Sequence, residues 1–112
     1  MTKRRPKRYP LWPELALALA AASAPVSAAE IADAGKLANL VRQDCGSCHG
    51  LTLKGGLGKP LTSENLRAWN REQLVGIILD GVPGTPMPPW RALLSEGDAR
   101  WIADRLQQGN LP

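Results

Sequence analysis

Two cysteines and a histidine stand together at Cys45-Gly46-Ser47-Cys48-His49, and the 112-residue chain has no other cysteine and no other histidine. Two thiols three positions apart can each reach one of two vinyl groups on the same side of a porphyrin. A histidine directly after the second cysteine then sets a ring nitrogen under the iron. C-x-x-C-H is the attachment pattern of c-type haem, with Cys45 and Cys48 as thioether anchors and His49 as an iron ligand. Covalent anchoring lets a small protein hold the group without a deep cavity. Competing chemistries fit less well. A thioredoxin-like redox pair belongs in a βαβ setting, and the chain shows no strand alternation. A disulfide between cysteines three apart gains little loop entropy. A structural zinc needs four ligands, and only Cys45, Cys48 and His49 are present without calling on carboxylates.

A second axial ligand follows by elimination. With one histidine, bis-histidine ligation within the chain is impossible. Apart from Met1, Met87 is the only methionine, in Gly81-Val82-Pro83-Gly84-Thr85-Pro86-Met87-Pro88-Pro89-Trp90. Each of the four prolines fixes its own φ and restricts its predecessor, which stiffens the segment. A thioether is a weak iron ligand that benefits from such a loop, and it raises the reduction potential. In the plainer alternative Met87 fills a gap in the core. The iron is then five-coordinate or water-ligated, and the protein binds or senses a diatomic ligand such as nitric oxide.

The charge points elsewhere than it first suggests. Formal net charge is +4, but Lys3, Arg4, Arg5, Lys7 and Arg8 against Glu14 give the first 28 residues all of it. The remainder carries nine basic and nine acidic residues, which excludes a basic nucleic-acid-binding domain. Basic residues, an apolar run from Leu15 to Ala22 and small residues through Ala29 make a cleavable secretory signal peptide over 1–29, cut after Ala28 or Ala29. An uncleaved anchor is the alternative, although the run is shorter than the roughly 20 residues that span a bilayer. The expected protein is periplasmic, monomeric and free of the membrane after cleavage, with residues 30–112 as its one domain. At about 83 residues that domain buries little surface by itself, so the haem is expected to serve as part of its core.

The elements that position the site read as all-α. Ile31, Ala34, Leu37, Ala38 and Val41 recur at helical spacing and predict a first helix over 31–44, leading into Cys45. Residues 50–61 hold too many glycines for an element. They form a loop at the porphyrin edge rather than a phosphate loop, since G-K-[ST] is missing. A short helix is expected over 63–69 from Thr62, and a longer one over 71–80 with Asn70 and Gln73 as a capping box. Gly76 inside that helix suggests close approach of another backbone or of the haem. A last helix starts at Ser95, with Asp98 as its capping partner, and ends at Gly109. No triad or second histidine offers catalysis, so an electron carrier rather than an enzyme is expected. Lys54 and Lys59 flank the glycine-rich loop. They could steer an acidic partner or be ordinary solvated lysines.

The region 31–108 resembles the class I cytochromes c, small monohaem proteins with the mitochondrial cytochrome c fold. The resemblance rests on Cys45-Gly46-Ser47-Cys48-His49-Gly50, Gly58-Lys59-Pro60-Leu61, the Met87 segment and the final helix. It implies three to four helices around one covalent haem c, with His49 and Met87 as axial ligands. It also implies that the Pro60 carbonyl accepts a hydrogen bond from the unligated nitrogen of His49. Leu37 and Val41 depart from the family's glycine and aromatic, eight and four residues before the first cysteine. A narrower resemblance is to the periplasmic cytochromes encoded beside the haem-d1-containing (cytochrome cd1) nitrite reductase of denitrifying bacteria. It implies electron delivery to that reductase, or a redox step in maturation of its haem d1.

Overall fold

In a computed structural model, the structure describes Pro10 and residues 33–112. The leader expected over 1–29 lies, but for Pro10, outside the described residues, as does Ile31. The described residues are helical, without strands.

The first helix, α1, spans Ala34–Leu40, and Asp33 caps it by accepting from the amides of Gly35 and Lys36. The chain does not stop at residue 44, as the sequence pattern suggested. It continues through a π-helical turn, Val41–Cys45, into α2, Gly46–His49. The helical stop comes at Gly50, whose φ is +92°. Cys45, Cys48 and His49 therefore sit on helical backbone fixed to α1. The π turn adds backbone just before the first cysteine, and such turns often mark functional sites.

The remaining helices follow their caps. Thr62 caps α3, Ser63–Leu66, which ends three residues earlier than the expected 69. Asn70 and Gln73 form the capping box of α4, Arg71–Asp80. Ser95 and Asp98 do the same for α5, Glu96–Gln108, and Gly109 closes it in the left-handed region. Each capping side chain satisfies an amide that the first helical turn leaves without a partner.

The core joins Leu37 and Val41 of the first helical run to Leu66, Leu74, Val75, Leu79 and Leu94, and to Ala99, Ile102, Ala103 and Leu106 of α5. Ala99 and Ala103 are fully buried, so small residues let α5 pack closely among α1, α3 and α4. Arg100 bridges Glu72 of α4 and Glu96 of α5 at 2.8 and 2.6 Å. Its hydrogen bond and charge hold the Glu96 carboxyl below its ordinary range. The pairs are exposed and add little. Trp101 packs against the core, with the Arg105 guanidinium 5.4 Å from its ring.

At Gly76 the expected approach of another backbone is not found. A Cβ built there meets no protein atom within 4 Å, so the glycine costs helix propensity without a packing return from the chain. Gly76→Ala should therefore stabilise the fold by about 0.5–1 kcal/mol. A higher melting temperature with an unchanged visible spectrum is the expected result.

Candidate haem site

One cavity of about 660 Å³ collects the chemistry-bearing side chains. Cys45, Cys48 and His49 line it from the end of the first helical run, and Met87 lines it from the segment after α4. Leu57, Gly58, Lys59 and Leu61 come from the glycine-rich loop. Leu66, Trp69, Leu74, Ile77 and Ile78 come from α3, α4 and the turn between them, and Ile102, Ala103 and Leu106 come from α5. Sequence reasoning had not singled out Trp69 and Trp90 as lining residues. The adjacency of Trp90 to the Met87 segment was the available signal.

The loop is built to hold His49. Gly55 N–H donates to the His49 carbonyl at 2.8 Å, and Gly58 N–H donates to the Cys48 carbonyl at 2.7 Å. These bonds satisfy carbonyls that the end of α2 leaves open. They also occupy amides that a phosphate loop would present to a ligand. A Cβ at Gly58 would lie 2.8 Å from both Cε1 and Nδ1 of His49, so only glycine lets the backbone lie against the imidazole.

The partner of the imidazole is a correction to the sequence reading. His49 Nδ1 lies 2.6 Å from the carbonyl oxygen of Lys59, not that of Pro60. Gly58 N–H on Cys48 and Leu61 N–H on Leu53 fix the segment on both sides, and this brings the Lys59 carbonyl to the ring. The Pro60 ring packs on Gly55 instead, 3.2 Å from where a Cβ there would stand. A carbonyl only accepts, so Nδ1 carries the hydrogen and Nε2 is left as the basic nitrogen.

These residues fit a covalently held porphyrin. The cavity volume lies in the range of cofactor pockets, and its walls are mostly aliphatic and aromatic. Neither cysteine is held in a disulfide. Before a thioether forms, burial, with the Asp44 charge close by, pushes the Cys45 thiol up to about 11. Zinc does not fit: among the described residues no group of three or more His, Cys, Asp and Glu side chains could hold a metal ion.

Known proteins give the same answer. A family model described as cytochrome C oxidase, cbb3-type, subunit III, matches residues 32–104. Cytochrome c55X of Paracoccus denitrificans is 54% identical over 92 residues, covering 82% of this chain and 89% of that protein. The chain belongs to the c-type cytochrome family. Cytochrome c55X of Pseudomonas aeruginosa is 52% identical over 111 residues, covering 96% of this cytochrome and 92% of its relative. Among solved structures, a c-type cytochrome NirC superposes with a TM-score of 0.68 at 57% identity, over 69% of this chain and 91% of that one. Dihydro-heme d1 dehydrogenase NirN superposes with a TM-score of 0.60 at 33% identity, over 68% of this chain but 16% of the longer protein. The fold is thus that of a class I cytochrome c. The protein carries one covalent haem c, with Cys45 and Cys48 positioned as in the C-x-x-C-H motif, and it is an electron carrier rather than an enzyme.

Proposed function

We propose that this cytochrome is a periplasmic one-electron carrier whose haem iron is held between His49 and Met87 and which serves the cytochrome cd1 nitrite reductase. The observation that carries the ligand assignment is the meeting of Met87 with His49, Cys45 and Cys48 on one cavity. The haem supplies a ferric–ferrous couple. The chain's residues do the rest. Cys45 and Cys48 anchor the group. The Lys59 carbonyl orients His49 and raises the basicity of Nε2, and the apolar walls keep water from the iron. With His49 and Met87 both holding the iron, the group would leave no place for a substrate and would supply electron transfer alone. Leu57, 81% exposed, and Val82, 37% exposed, stand at the rim where a partner would dock.

The reading includes a leader over 1–29 that is removed and a cytochrome domain over 30–112. Among the described residues no helix is long and apolar enough to cross a membrane. The likeness to a cytochrome NirC supports service to nitrite reduction. A second reading, a redox step in haem d1 maturation, is favoured by the 33% identity to a dihydro-heme d1 dehydrogenase. Stopped-flow mixing of the reduced cytochrome with purified cd1 reductase, with and without haem d1, separates the two. Reoxidation by the mature reductase is the expected result. No reoxidation by it, with reduction of the oxidised cytochrome by the dehydrogenase as that enzyme oxidises its dihydro-haem substrate, reverses the assignment.

A further inference from the structure

The segment bearing Met87 leaves the end of α4 and returns to it. Gly81, Trp90 and Arg91 donate their amides to the carbonyls of Ile77, Ile78 and Leu79, at 3.0, 3.1 and 3.1 Å. Inside that closed segment, residues 82–85 make a turn. Pro83 and Gly84, with φ +77°, occupy its central positions, as a type II turn requires. Thr85 N–H closes the turn on the Val82 carbonyl at 3.1 Å, and Val82 N–H donates to the Met87 carbonyl at 3.2 Å.

The Thr85 side chain adds two bonds the turn itself does not need. Its hydroxyl donates to the Val82 carbonyl at 2.7 Å, and its oxygen accepts the Met87 N–H at 3.3 Å. Backbone alone is poorly equipped here, because Pro83, Pro86, Pro88 and Pro89 have no N–H to give. One hydroxyl therefore ties the start of the segment to the residue that faces the cavity, and Thr85 lines that cavity too.

We propose that Thr85 is a positioning residue for Met87. Its hydroxyl bridge holds the thioether at the iron and keeps that position closed to outside donors. This rests on Met87 being the axial ligand. A sulfur that must stay at a metal through a weak bond competes with any small base in solution, and each lost restraint on the segment shifts that competition toward the base.

The test uses haem-loaded protein with Thr85→Val, which removes the hydroxyl at nearly constant shape, and Thr85→Ser, which keeps it. The readouts are the ferric thioether–iron charge-transfer band and the affinity for added imidazole, followed by visible absorption. Thr85→Val should keep covalent haem and, before imidazole is added, the band. It should bind imidazole about tenfold more tightly, the effect of losing two modest hydrogen bonds. Thr85→Ser should titrate like the parent. Thr85 is exposed and remote in sequence from the haem anchors, and Thr85→Ala provides a second variant lacking the hydroxyl. An unchanged imidazole affinity in the hydroxyl-free variants, with the band present in the parent, overturns the proposal alone. Equal tightening in Thr85→Ser also overturns it, since loop packing and not the hydroxyl is then responsible. A parent without the band overturns the Met87 assignment and this proposal with it.

Discussion

Replacing Met87 by alanine leaves the haem attached and lowers the reduction potential by on the order of 0.1–0.2 V, within the roughly 0.8 V span that axial ligands control. Attachment survives because Cys45 and Cys48 belong to the first helical run, whereas Met87 belongs to the segment after α4. The potential falls because a soft thioether favours the ferrous state, while the water that replaces it is a harder oxygen ligand that favours the ferric state. The same variant loses the ferric thioether–iron charge-transfer band and gains an open position for nitric oxide or imidazole. Potentiometric titration with visible spectroscopy reads these changes together. An unchanged potential with an unchanged spectrum means that Met87 does not bind the iron and only fills the core. High-spin ferric iron in the parent itself points instead to a ligand-binding haem protein.

What could be read from the sequence was written locally. The haem motif is five consecutive residues, and the caps at Thr62, Asn70 and Ser95 act on amides three residues away. Such bonds follow from side-chain reach alone. Proposing Met87 required only counting, because no other methionine stands outside the leader region; what the structure adds is that Met87 lines the same cavity as His49. The rest depends on what lies across space. The π turn at Val41–Cys45 leaves the apolar spacing of the preceding residues intact, so periodicity carried no sign of it. Gly50 was the visible stop signal for the first helical run, but the glycine-rich stretch after it drew attention as a loop rather than as the end of a helix. Gly76 shows that an absent side chain is informative only once its surroundings are known. The Lys59 carbonyl was missed for a different reason: every residue has a carbonyl, and which one meets His49 is decided by backbone register, to which residue type contributes only indirectly, through the close approaches that Gly50, Gly55, Gly56 and Gly58 permit.

That register predicts a second change, of opposite sign. Gly58→Ala places a methyl 2.8 Å from Cε1 and Nδ1 of His49, closer than carbon and nitrogen can sit. The loop cannot retreat freely, because Gly58 N–H is bonded to the Cys48 carbonyl at 2.7 Å and Gly55 N–H to that of His49 at 2.8 Å. Either the ring tilts or the loop lifts, and both stretch the 2.6 Å contact from Nδ1 to the Lys59 carbonyl. Overpacking of this kind costs about 1–3 kcal/mol, so the melting temperature falls. The redox effect separates this site from a merely crowded one. An imidazole whose Nδ1–H is hydrogen-bonded is a stronger donor through Nε2 and favours ferric iron. Weakening that bond makes the donor poorer and raises the potential, whereas loss of Met87 lowers it. Substituting Lys59 leaves the carbonyl in place, so Lys59→Ala should shift the potential far less than Gly58→Ala. If Gly58→Ala lowers stability but leaves the potential at the parental value, the Lys59 carbonyl does not tune His49. The glycine then serves only to let the loop pass the ring.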